Sequence, residues 1–265
     1  MHAAPAIPEG TSRSLHRWNA SLAAVHAVQG AIILALSFAK DPVVTAPVVS
    51  SYLTFDTATQ SLVPAQRPVF DLPIGPAVAL FFLLSAIAHA TVAFPARRWY
   101  EARLARGMNP ARWVEYALSS SVMIVVIAEL SGIQEVGTLI AIFGVNAAMN
   151  LFGWSMELAN EGRAKVQWSH YLFGCVAGIV PWIVIFVALS TAATAPGAAP
   201  IPGFVIAIFV SLFISFNVFA LNMILQYRRT GRWSDGLYGE RVYMLLSLFA
   251  KTILAWQVFF GTLRP

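Results

Sequence analysis

Residues Leu237 to Leu263 read LYGERVYMLLSLFAKTILAWQVFFGTL, a hydrophobic run with one lysine, Lys251, near its middle. About 20 mostly apolar residues suffice to cross the hydrocarbon of a bilayer, so this run is long enough to be a spanning helix. A charged lysine at that depth costs roughly 2.5–3.5 kcal/mol on insertion scales and is read as functional by default. The other two lysines, Lys40 and Lys165, fall in expected loops. The chain is therefore read outward from the question of what Lys251 is for.

Composition fixes the class. Of 265 residues, 58% are hydrophobic and only 11% charged, and the mean hydropathy is +0.70. Soluble domains carry about 25% charged residues, so this is an integral membrane protein. The net charge of +5 would suggest nucleic acid, except that the basic residues lie between hydrophobic spans, where they signal topology. The single cysteine, Cys175, excludes an intrachain disulfide, and no Cys/His cluster has metal-ligand spacing. Residues 1–14 contain no apolar segment of signal-peptide type, so none is expected. No repeat divides the chain, which is expected to form one domain over 1–265.

Seven spans are expected, at roughly 17–39, 74–95, 110–131, 136–158, 167–191, 203–227 and 237–263. Asn109-Pro110 offers an N-cap followed by proline at the first helical position, and Ser234 or Asp235 can cap the last helix. Only SGIQE separates the third and fourth spans, which must form a tight antiparallel pair. One side of the bundle holds Arg13, Arg17, Arg97, Arg98, Arg103, Arg106, Arg112, Arg163, Lys165, Arg228, Arg229 and Arg232. The other holds Lys40, Arg67 and Arg264. By the positive-inside rule the N-terminus is cytoplasmic and the C-terminus extracellular.

The long loop at about 40–73 is then extracellular. Its run VVSSYLTFD, followed by SLVPAQ, is rich in β-branched and aromatic residues around a polar turn. That pattern reads as a short β-hairpin or, equally, as an irregular loop.

Polar side chains inside a bundle face its interior and find partners. His26, His89 and Glu115 fall in the cytoplasmic half, within about a turn of one another in depth by 1.5 Å per residue. Lys251 sits nearer the bilayer centre and leans back toward Glu115. A Lys–Glu pair there holds helices together or serves chemistry, and buried histidines bond between helices or carry protons. Serines 119 to 121, with Ser85 and Ser247, pack or bond to backbone in membrane helices by default.

A seven-helix bundle with a mid-membrane lysine in its last helix resembles the retinal-binding rhodopsins. RWVEYALSSSVMIVVIA at 112–128 and LLSLFAKTILAWQVF at 245–259 are similar to the motifs of heliorhodopsins, as are the inverted orientation and the long first extracellular loop. That resemblance covers essentially the whole chain. It implies all-trans retinal bound to Lys251 as a protonated Schiff base, with Glu115 as counterion and Ser247 bonding nearby. It further implies that Tyr116, Ser120, Asn146 and Met149 line the chromophore. The aromatic character of Phe213, Phe216 and Trp182 adds them as pocket candidates. His26 and His89 would form a proton-accepting cavity on the cytoplasmic side with Asn19, Gln29, Ser85, Glu240 and Trp256. A homodimer, with the loop forming a small sheet at its interface, is implied as well.

Pumping rhodopsins usually carry an aspartate one turn before the lysine; here that position is Ser247. The position eleven after Glu115, where a pump wants a reprotonation donor, is Val126. Glu129 and Glu135 are expected near the interface. The resulting expectation is a light sensor, not an enzyme, with a slow photocycle, internal proton transfer and no ion pumping, read by a cytoplasmic signalling partner. A light-driven transporter or light-gated channel, and a seven-helix protein without retinal, are the rivals.

Overall fold

The computed structural model describes residues 7–39 and 42–263. Lys40 and Arg264, counted above as basic residues of the outer side, lie outside the described residues. Seven helices among those described are long and apolar enough to cross a membrane. They are α1 (Glu9–Phe38), α2 (Ile74–Ala93), α4 (Pro110–Leu130), α5 (Val136–Asn160), α6 (Ser169–Thr194), α7 (Gly203–Tyr227) and α8 (Gly236–Val258). A strand pair, β1 (Thr45–Asp56) and β2 (Ser61–Pro73), precedes α2, and a short helix, α3 (Arg97–Leu104), follows it. Around the bundle, α1 packs on α2, α2 on α4, α4 on α5, α5 on α6, and α7 on α8, which returns to α1. This is the expected all-α membrane bundle with a hairpin.

Local chemistry explains the boundaries. The Asn109 side chain accepts a hydrogen bond from the Arg112 N–H at 3.1 Å, with Pro110 opening α4. Asp235, rather than Ser234, caps α8 by accepting from the Leu237 N–H at 3.0 Å. The tight turn after α4 depends on Gly132, whose φ of +88° suits only glycine without strain. Its N–H returns to the Glu129 carbonyl while the Ile133 N–H returns to Ala128, closing the helix end. Glu135 then caps α5 through the Thr138 N–H at 2.6 Å. The N–H groups of Thr138 and then Gly137 hold this solvent-side carboxyl below the usual glutamate range.

One expectation about extent is corrected. α1 starts about two turns before residue 17, because Leu15 is buried against Tyr100 and Leu104 of α3. Ser12 and Arg97 also meet on Glu101, at 2.6 and 2.9 Å. α3 itself, with its half-apolar RRWYEARL pattern, was not expected within the loop. The long loop before α2 forms the expected β-hairpin rather than an irregular loop, with antiparallel strands of 12 and 13 residues and a register shift between Val48 and Val49. It has the support that an isolated hairpin lacks. Val48 is buried in the bundle core, and the Val49 N–H donates to the Gln134 carbonyl at 2.9 Å. Farther out, Tyr52, Leu53, Phe55 and Leu62 are exposed.

The half of the bundle near the hairpin is an apolar core, with Phe81, Phe82, Ile124, Ile185, Ile208 and Leu254 almost fully buried. Between α6 and α7, the Trp182 ring packs against Phe209, Phe213 and Phe216. Pro181, inside α6, lacks the N–H that would close a helical bond to the Ala177 carbonyl.

Candidate functional site

With α4 capped at Asn109 and α8 at Asp235, Glu115 and Lys251 come to face each other across the bundle. Lys251 Nζ lies 3.3 Å from Glu115 Oε1, and both side chains are buried. The lysine also donates to Ser247 Oγ at 2.7 Å, one helical turn back on the same face. Ser85 of α2 donates to Glu115 Oε1 at 2.5 Å. The Tyr116 ring stands 5.5 Å from Nζ, within cation–π range. The ionic contact is long and lightly bonded for a buried pair.

Lys251 and Ser247 also form part of the wall of a cavity of about 410 Å³, a volume in the range of small-molecule sites. Tyr116, Ser120, Met149, Phe216 and Trp182 line it too. Two expected lining residues do not. Asn146 stands behind the wall, donating to Ser120 and Ser121 at 2.8 and 3.0 Å. Phe213 packs on Trp182 on the same side of α7 as Phe216 but about one turn farther along the helix, past the end of the cavity. The lining also includes Tyr171, Cys175 and Gly178 of α6, which sequence reasoning missed. A Cβ on Gly178 would meet Met149 Sδ at 2.5 Å. The signal was available in Gly174-x-x-x-Gly178, a small-residue spacing that lets membrane helices approach closely.

On the arginine-rich side, a small cavity of about 40 Å³ gathers Asn19, His89, Glu115, Tyr116 and Glu240. His89 Nδ1 and Asn19 Oδ1 are 2.8 Å apart. His26 stacks on His89 with ring centroids 5.6 Å apart, and neither of its nitrogens has a hydrogen-bond partner. Ser85 joins this group through Glu115, but two other expected members do not. Gln29 accepts from Thr252 at 3.0 Å. Trp256 packs on Phe259 and Phe260, since five residues beyond Lys251 it has passed toward the opposite end of α8.

Glu240 touches the small cavity but serves a second ionic cluster. Arg112 pairs with Glu157 at 2.5 Å and with Glu240. Asn109 donates its N–H to Glu157 at 2.7 Å and its side-chain amide to Glu240 at 2.9 Å. The guanidinium lies 4.5 Å from the Trp113 ring centroid and 4.0 Å from that of Tyr243. Arg112, counted above as a topological loop charge, is thus a buried link between α4, α5 and α8. Glu129 lies at the end of α4, is turned into the protein interior, and neither carboxyl oxygen has a hydrogen-bond partner. Fourteen residues after Glu115, it falls back on nearly the same helical face.

A family model described as heliorhodopsin matches residues 15–263, almost the whole chain. The chain belongs to the heliorhodopsin family. No individually curated protein matches it. Heliorhodopsins are retinal-binding, light-sensing rhodopsins, and this member is an integral membrane protein with seven apolar helices. The family match accords with the layout above: a cavity of cofactor size with an amine in its wall and a carboxylate beside the amine.

Proposed function

We propose that the chain is a single-domain light sensor in which Lys251 carries all-trans retinal and Glu115 balances the charge. The observation that carries this reading is Lys251 Nζ, buried, 3.3 Å from Glu115 and in the wall of the 410 Å³ cavity. The cavity fits the group: aromatic rings and Met149 supply apolar walls, and Gly178 leaves room where a side chain would not fit. Condensation of the lysine amine with an aldehyde releases water and leaves a nitrogen that binds a proton, for which an adjacent carboxylate is the needed partner. Bound retinal supplies light absorption and, on all-trans to 13-cis isomerisation, a change of shape.

The chain's own residues then handle a proton. Glu115 Oε1 is the carboxylate nearest the lysine nitrogen, and Ser85 and Ser247 orient the two groups. Next to Glu115, the 40 Å³ cavity leads to His89, backed by His26. Its volume exceeds what one water needs, so a bridging water can connect carboxylate and imidazole. This supports proton transfer that stays on the arginine-rich side. By charge distribution that side is cytoplasmic, which leaves the hairpin and the C-terminus outside. The exposed apolar outer hairpin fits a homodimer contact, and a cytoplasmic partner would read the altered helices.

Absence of pumping is supported by Ser247 before the lysine and by Val126, buried, eleven residues after Glu115. Reconstitution with all-trans retinal tests attachment: a visible band is expected in the wild type and none in Lys251→Ala. A band that survives the substitution overturns the reading. Illuminated cell suspensions should show no protonophore-sensitive pH change. One observation favours the rival of a transporter or channel, namely the buried Glu129 in the outer half. It stands about 21 Å from Glu115 along α4 at 1.5 Å per residue, beyond direct transfer. Photocurrents under voltage clamp that vanish in Glu129→Gln would favour transport.

A further inference from the structure

A second groove, of about 610 Å³, runs along the lipid-facing flank beneath α3, between α2, α4 and α5. Ile87, Val114, Leu118 and Leu158 line it and are exposed, which suits a hydrocarbon chain. At its rim α3 carries Trp99 and Arg103, one turn apart. Of the arginines nearby, Arg97 pairs with Glu101 and Arg106 with Glu161, while Arg98 is exposed to solvent. Arg103, half-buried, has no ion pair or side-chain hydrogen bond among the described residues. Pro110 and Ala111, the first turn of α4, line the same groove and add the partial positive charge of a helix N-terminus. Deeper in, the Trp154 ring forms part of the wall, and its Nε1 is buried without an acceptor.

These features follow the order of a phospholipid along the membrane normal. A cation and an interfacial tryptophan sit at headgroup depth, and apolar walls continue downward. We propose that this groove binds one anionic glycerophospholipid. Its phosphate sits on Arg103, and one acyl chain lies between α2 and α4 against the Trp154 ring. A zwitterionic headgroup fits less well, because its ammonium would meet the arginines of α3. Glu115 is also among the lining residues, so the lipid borders the same carboxylate that faces Lys251.

The test is native mass spectrometry of the full-length protein released from nanodiscs of mixed phosphatidylglycerol and phosphatidylcholine in equal amounts. The wild type should retain one phosphatidylglycerol with roughly five-fold preference, the effect of one arginine at an anionic surface. Arg103→Gln should abolish the preference, whereas Arg98→Gln, exposed on the same helix, should keep it. Val114→Trp, which fills the groove without changing charge, should remove the retained lipid at unchanged helicity. Equal retention of both lipids by the wild type overturns the proposal, as does an unaltered preference in Arg103→Gln. No retinal is needed, so the outcome is independent of the reading of Lys251.

Discussion

Two buried ionic sites lie one turn apart on α4, and they are built differently. Arg112 is densely held: two carboxylates, Asn109 bonding to both of them, and two aromatic rings surround it, and only its Nε lacks an acceptor among the described residues. Glu115 and Lys251 share a single contact at 3.3 Å, with one serine on each group and cavities on both sides. A charge paired to two carboxylates on two other helices holds those helices in place. One with directions left open and space around it can change partners, which suits chemistry. The comparison supports a structural role for Arg112 and the role proposed above for Lys251.

The comparison is broken most severely at Arg112. Arg112→Ala leaves two buried carboxylates facing each other and should cost about 3–5 kcal/mol, measured as loss of thermal stability in detergent. A variant as stable as the wild type would remove the structural assignment. Glu115→Gln should cost less stability but move the visible band of the retinal-loaded protein to longer wavelength, because the balancing charge is gone. An unchanged spectrum would point to another counterion. Ser85→Ala should give a smaller shift in the same sense as Glu115→Gln, since it removes one hydrogen bond to the carboxylate rather than its charge; a shift as large as that of Glu115→Gln would contradict this. The weakest effect is expected at Glu135, a carboxyl bonded to N–H groups at the solvent. Its pKa is lower folded than unfolded, so its contribution is present above the unfolded pKa and disappears as pH falls through the folded one. The stability difference between wild type and Glu135→Gln should therefore shrink in acid; a difference constant with pH would exclude this role.

Much of this was legible in the sequence, for identifiable reasons. Spans of uninterrupted apolar residues announce themselves, and Asn109-Pro110 marked the start of α4 through its capping chemistry. Lys251 and Glu115 stood out because charge in hydrocarbon is rare. Arg112 misled because arginines near a span end ordinarily report topology, and its partners Glu157 and Glu240 are distant in sequence. Counting residues placed Glu129 near the interface, but only its helical phase relative to Glu115 signalled an inward face. Asn146, Phe213 and Trp256 show the same limit. Residue type suggests a pocket, but helix rotation and depth along the axis decide whether a side chain enters it or braces its wall.

The bond between the Val49 N–H and the Gln134 carbonyl joins the hairpin to the turn that ends α4. A helix is stiff along its axis, and α4 carries Glu115 near one end and this turn at the other. The ribbon outside the bundle therefore sits on the far end of a rod whose near end touches the lysine's partner. A displacement of that rod would carry the hairpin with it.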